Sequence, residues 1–407
     1  MDVSGILRMR AKLMNLDAGY ICFTVGLVLW LACRILLTTT IVDTGVGSLI
    51  GSLVKAGLLL CLFSEIFAWK FTFESFCLLL AFGFFSLVTY RVGGLDIVYL
   101  LCIAYTSRRY SLDSILIPAL IVVVATCAAV VCLSLTEVIP SATSVVGSRV
   151  RSSLGFNWVT FLSHYYLEIV ILYAVVRKGR LPIWQILLLF AVDFAIYEIT
   201  DSRNSFLLAA VFLAILFFLR KRGSDEAPDW LRVLLSCSFL IGLLLSAFLY
   251  VLPDPSSALG VRLNGLLSRR LIYTQEAIAA YGISPLGTKV TWVTQSLVRT
   301  GQYDSSQYLY VDCSYFNIAI NYGWLFLAFI ITLLTVTTNR SIRTAGLTLG
   351  IGLAFFALHG VVDPQLLDLH YCVFLVLLGN AFDPDDVWTD KMKGLKSSVS
   401  KSEPYAQ

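Results

Sequence analysis

The chain has 407 residues, of which 58% are apolar and 14% charged, and its mean hydropathy is +0.82. Soluble domains are typically about 45–50% apolar and about 25% charged, so this chain lacks the polar surface needed to cover a water-soluble core. A net charge of +4 is too small to point to nucleic acid.

The even spread of apolar runs predicts an all-α, polytopic integral membrane bundle, one domain over 1–382. The start, MDVSGILRMRAKLMNLD, is too polar for a cleavable signal peptide, and the first apolar run is long enough to span. Twelve transmembrane helices are predicted, at 19–38, 45–67, 71–89, 94–107, 114–137, 158–176, 181–199, 204–220, 232–252, 314–337, 344–361 and 367–382. The fourth is the shortest. Gly47-x-x-x-Gly51 and Gly346-x-x-x-Gly350 read as small-residue faces for close helix contact. The polar tail 383–407 is predicted to be disordered and cytoplasmic. The ten cysteines lie in or beside apolar runs without CxxC or Cys/His metal spacing, and read as small packing residues.

Basic residues set the orientation. With both termini in the cytoplasm, 19 of the 30 lysines and arginines fall on the inner side and 9 on the outer, with Arg34 and Lys55 inside spans. Two outer connections are long: 138–157, and 253–313 between the ninth and tenth spans. The second is too long to be a mere connector. Loops held by a rigid scaffold often carry function.

Unusual chemistry is predicted on this outer side. Eight of its nine cations are arginines, among them Arg149, Arg151 and Arg203. Arginine's planar fork grips phosphate or carboxylate at two points, so an anionic ligand is inferred; the bland alternative is a set of solvated loop arginines. The stretch 259–281 reads as one amphipathic helix. On it Arg262, Arg269 and Glu276 share a polar face, while Arg270 points with Leu263, Leu266 and Leu267. A guanidinium on an apolar face needs a partner, or else snorkels to water. All three histidines map to the outer half: His164, His359 and His370. His359 and Asp363, four residues apart before Pro364, are candidates for a base and its orienting partner; the alternative is interhelical hydrogen bonding. No GxxxxGKS, HExxH or GxSxG motif is present, nor an inner DxD-like pair. No cofactor and no metal are therefore expected, and any substrate should be membrane-borne.

Four patches resemble the Wzy-type oligosaccharide repeat-unit polymerases of the O-antigen polymerase/ligase superfamily. They are Arg149-Val150-Arg151-Ser152-Ser153-Leu154-Gly155-Phe156; Asp201-Ser202-Arg203; and Leu263-Asn264-Gly265-Leu266-Leu267-Ser268-Arg269-Arg270-Leu271. The fourth runs from Ser284-Pro285-Leu286-Gly287 through Asp312-Cys313-Ser314-Tyr315 to Asn321-Tyr322-Gly323, with His359-Gly360 and Asp363 like the family's usual ending. Arg269 stands where the family has glycine, and Asn157-Trp158 where it has a His-Pro-Asn-like turn. The resemblance implies a metal- and nucleotide-independent glycosyltransferase of the bacterial cytoplasmic membrane. It would polymerise polyprenyl-pyrophosphate-linked oligosaccharide repeat units, donor and acceptor, into a capsule, exopolysaccharide or O-antigen, with a flippase and a chain-length regulator as protein partners. It implies His359, Asp363 and Arg270 as catalytic residues, with Arg149, Arg151, Arg203, Asp312 and Tyr315 binding substrate and pyrophosphate. An O-antigen-ligase-like transferase is the nearest alternative. A lipid-linked oligosaccharide flippase is the non-enzyme alternative, but it should line its spans with charge and show paired halves.

Overall fold

The structure, a computed structural model, describes residues 3–67, 72–146, 149–220, 228–299 and 301–381. The predicted tail 383–407 lies outside them. In chain order the elements are α1 (Val3–Leu37), α2 (Gly47–Phe67), α3 (Phe73–Arg91), α4 (Leu95–Ser107) and α5 (Leu112–Leu135). A hairpin of β1 (Thr143–Val146) and β2 (Arg149–Ser152) then leads to α6 (Phe161–Val176), α7 (Ile183–Thr200) and α8 (Arg203–Leu219). Next come α9 (Asp229–Ser236), α10 (Ser238–Tyr250), α11 (Ala258–Leu266), α12 (Arg270–Tyr281) and α13 (Gln295–Arg299). The chain closes with α14 (Ser314–Tyr322), α15 (Trp324–Ala345) and α16 (Leu347–Val362), followed by a 3-10 helix, Val373–Asn380.

This is a multi-pass helical bundle. Six helices are long and apolar enough to cross a membrane: Ala18–Leu37 of α1, then α2, α3, α5, α7 and Trp324–Arg343 of α15. The pair α9 and α10 makes a seventh candidate, bent by 57° at its break. The apolar helices α4, α6, α8 and α16 are shorter. Polar backbone inside such a bundle must be satisfied internally. Pro118 in α5 illustrates this. Its ring nitrogen cannot donate to the carbonyl four residues back, that of Ser114, and the Tyr20 hydroxyl donates to that carbonyl instead, at 3.1 Å.

Glycine spacing misleads on where helices meet most closely. A Cβ on Gly51 would touch nothing within 4 Å, and one on Gly350 would meet only side chains, those of Ile342 and Leu235. The tight approach lies elsewhere, between α1 and α2. A Cβ on Gly26 would come within 2.7 Å of the Gly57 carbonyl oxygen, and one on Gly57 within 2.8 Å of that of Gly26.

Besides the predicted 232–252, which divides into α9 and α10, and 314–337, which divides into α14 and α15 at Gly323 (φ +91°), two expected helices are not single helices. The stretch 259–281 breaks after Leu266, and Ser268 and Arg269 take left-handed conformations (φ +52° and +69°) before α12 begins. Asn264 bridges the break: its carbonyl accepts from the Arg269 N–H at 2.8 Å and its side chain from the Ile272 N–H at 3.3 Å. The predicted twelfth helix, 367–382, is the second case. After α16 the chain runs through turns to Cys372 and then forms only the 3-10 helix. Pro364 holds Asp363 extended, which ends α16. Side chains then take the backbone groups a helix would have paired. Ser314 Oγ accepts from Leu366 N–H (3.1 Å), Glu168 from Val373 N–H (2.7 Å), and the Val376 carbonyl accepts from Ser107 (2.6 Å). Almost the whole segment from Gln365 to Gly379 is buried, so its backbone groups need partners within the protein.

Cross-element hydrogen bonds sort the connections into two ends. At one end Thr40 N–H donates to Gly155 O, Asn157 N–H to Thr38 O, and Arg91 to Leu286 O. At the other end Glu65 pairs with Arg108 (2.8 Å) and Arg109 (2.9 Å), and Arg340 donates to Asn380 O at 3.1 Å. At the first end the long loop is locked onto the bundle through two glycines. Gly287 and Gly323 both have positive φ (+80° and +91°) and sit back to back. A Cβ on Gly287 would lie 2.2 Å from Asn321 O, and one on Gly323 2.3 Å from Pro285 O.

Candidate active site

The buried group at the first end begins with Asp363. As the extended C-cap of α16 it makes a backbone bond to the His359 carbonyl, one turn back, at 3.0 Å. Its carboxylate therefore returns over the last turn of its own helix. Oδ2 accepts from Asn204 Nδ2 at 2.9 Å and lies 3.3 Å from His359 Nε2. Oδ1 lies 3.7 Å from His164 Nε2. The two imidazole rings are edge to face, 4.8 Å between centroids. Ser314 Oγ, at the start of α14, donates to the Asp363 carbonyl and so ties this corner to the end of the long loop. His164, His359 and Asp363 are all buried.

The second group is an ion pair at the mouth of the first. Arg270 Nε donates to Asp312 Oδ2 at 2.7 Å, with both side chains about a quarter exposed (28% and 26%). Burial works against the Arg270 charge, but Asp312 and Asp363 overcome it and hold the guanidinium protonated above its ordinary range. The break at Ser268–Arg269 produces this arrangement. Arg270 opens a new helix and reaches Asp312, so it does not share an apolar face with Leu263, Leu266 and Leu267 as a continuous helix would require. Arg269, one residue earlier, is exposed, and its guanidinium lies 5.3 Å from the Tyr273 ring centre. Its left-handed φ is the conformation that favours glycine, the residue the resembled family has there.

The remaining predicted residues divide. Arg151 Nε donates to the Thr200 carbonyl at 2.7 Å, and the Thr200 hydroxyl lies 2.9 Å from Ser163, next to His164. Arg203 is exposed beside Asp201 (3.3 Å) and precedes Asn204, the Asp363 partner. Arg149 opens β2 opposite Val146; its side chain lies outside the described residues. Tyr315 is not brought to the site. It is fully buried, its hydroxyl donates to the Ala357 carbonyl at 3.0 Å, and its ring fills the space over Gly242. His370 also lies apart, among Trp30, Tyr165 and Tyr371.

Sequence reasoning passed over Asn204 and gave His164 no role beyond its place in the outer half. The signal for Asn204 was its place directly after Asp201-Ser202-Arg203, an amide opening an otherwise apolar helix. Chemically, the assembly offers a carboxylate between two imidazoles, an amide that orients it, and a protonated arginine whose counter-ion is a neighbouring acid. That combination can take a proton from a hydroxyl and stabilise an anion beside it. No family model, curated protein or solved structure matches the chain.

Proposed function

We propose that this chain is a polyprenyl-pyrophosphate-linked oligosaccharide polymerase of the Wzy type, acting on the outer face of the bacterial cytoplasmic membrane. The observation that carries the proposal is the convergence of His164, His359 and Asp363 with the Arg270–Asp312 pair, on the side where basic residues are scarcest. In this reading the chain crosses the membrane twelve times with both termini inside, and the last crossing is the buried non-helical segment after α16. His359, with the Asp363 carboxylate beside it, takes the proton of the acceptor sugar hydroxyl as its oxygen attacks the donor's anomeric carbon. The bond from that carbon to the pyrophosphate oxygen breaks, and Arg270, joined by Arg151 and Arg203 in this reading, stabilises the charge developing on the departing group. The donor is already activated, so no nucleotide is consumed. Asp312 holds Arg270 aimed until the anionic substrate competes for it.

The test is deletion of the gene followed by sizing of lipid-linked surface glycan, with complementation by wild type or His359→Ala. Lipid-linked single units in the deletion, restored to long chains by wild type alone, are the expected result. Long lipid-linked chains left unattached would replace the polymerase with an O-antigen-ligase-like transferase. Failure of single units to reach the outer face would mean a flippase.

A further inference from the structure

We propose that His164, His359 and Asp363 also form a binding site for one divalent transition-metal ion of the zinc class. One ligand atom from each of the three lies within 4.8 Å of the others. Zinc holds nitrogen and oxygen ligands at about 2.0–2.2 Å, so neighbouring donors in a tetrahedral site stand about 3.4 Å apart. Each carboxylate oxygen of Asp363 already stands near this distance from one imidazole, Oδ2 at 3.3 Å from His359 Nε2 and Oδ1 at 3.7 Å from His164 Nε2. Small side-chain movements within the 4.8 Å group bring the three donors to tetrahedral spacing. His359 Nε2 is buried and makes no hydrogen bond among the described residues, so its lone pair is not committed elsewhere.

The surroundings fit a cation of this class and no other. Two imidazoles and one carboxylate suit zinc, copper, nickel or iron, whereas magnesium and calcium require oxygen donors. Asn204 holds the carboxylate from behind, as outer-shell groups do in metal sites. The nearby Arg270 guanidinium is hydrogen-bonded to Asp312 rather than to Asp363. The ligands come from the first turn of α6 and from the last turn and cap of α16, elements locked by packing. The consequence for activity rests on the transferase reading above. The ion occupies the nitrogen lone pair that the base would use, so binding switches transfer off.

The full chain, purified in detergent and stripped with a chelator, is dialysed against Zn2+ and its metal content measured, with Co2+ as a spectroscopic substitute. One equivalent with a visible tetrahedral Co2+ spectrum, and no thiolate charge-transfer band from the ten cysteines, is expected. His359→Ala and His164→Ala should lose it. Asn204→Ala, which removes no ligand, should weaken binding by about 10- to 100-fold and keeps the test decisive should the ligand variants fail to fold. Absence of bound metal in the wild type, or binding unchanged in all three variants, overturns the site. Chain elongation in membranes should fall on adding Zn2+ and return with chelator. Binding without inhibition would uphold the site and remove His359 as the base.

Discussion

Replacing Arg270 by alanine separates a catalytic arginine from a structural one, because the structure supplies a control one residue away. Arg270→Ala removes the guanidinium that faces Asp312 and Asp363. If that group stabilises the departing pyrophosphate, losing it should slow elongation by about 10²–10³-fold, or about 2.7–4 kcal/mol. The fold should survive. Asp312 is a quarter exposed, so water can solvate the charge left behind, and the heavy cost of stranding a fully buried ion does not apply. Arg269→Gly removes the same charge from the adjacent, exposed position. There a left-handed backbone costs a side chain roughly 1–2 kcal/mol, which glycine recovers, against about 0.5–1 kcal/mol lost from the contact with Tyr273. Arg269→Gly should therefore be at least as stable as wild type and fully active. The assay is the length profile of lipid-linked glycan in a deletion strain, at matched membrane abundance of each variant. Equal losses in the two variants, or a fully active Arg270→Ala, would refute the placement of the site. Loss of the Arg270→Ala protein from the membrane would make the residue structural.

Gly323→Ala forces a Cβ to within 2.3 Å of the Pro285 carbonyl oxygen at φ +91°, so the long loop should detach; protease nicking within 282–313 in outward-facing membranes should rise well above wild type, and unchanged protection would contradict the glycine lock. Tyr315→Phe removes one buried hydrogen bond to the Ala357 carbonyl, worth about 1 kcal/mol, and should lower thermal stability in detergent without changing the elongation rate; a large loss of rate at unchanged stability would return Tyr315 to the substrate site. Thr291→Cys, exposed in the long loop, should react with an impermeant thiol reagent in intact cells once wild-type background is subtracted; reaction only after lysis would invert the topology.

The membrane bundle was legible because it rests on composition and run length, which are local quantities. The candidate residues were legible by type, but not their assembly. His359 and Asp363 were found together because four residues make one helical turn, and Asp363 completes that turn even with Pro364 behind it. His164 and Asn204 join them from α6 and α8, about 195 and 159 positions away along the chain, and no periodicity reports such a meeting. Arg270 was singled out for a reason that fails, since its helix begins at that residue. What helical spacing cannot express is a break held by Asn264 and by two non-glycine residues at positive φ.

The missing twelfth helix follows from the same physics that builds the site. A hydrophobic run of this length, such as 367–382, defaults to α-helix in a membrane because every N–H and C=O then has a partner. Here the default is displaced by partners supplied from outside the run: Ser314, Glu168 and Ser107 each take a backbone group, and Glu168 and Ser107 are buried on the apolar helices α6 and α4. The role of Glu168 in α6 and Ser107 in α4 becomes visible only once the segment they hold is traced. A continuous helix from α16 onward would carry Asp363 along its own axis. Ending α16 at Asp363 lets its carboxylate face His164 and Asn204 while its carbonyl accepts from Ser314. The cost of non-helical backbone at depth is thus offset by buried hydrogen bonds, and the local departure from helix geometry is what brings α6, α8, α14 and α16 to one carboxylate.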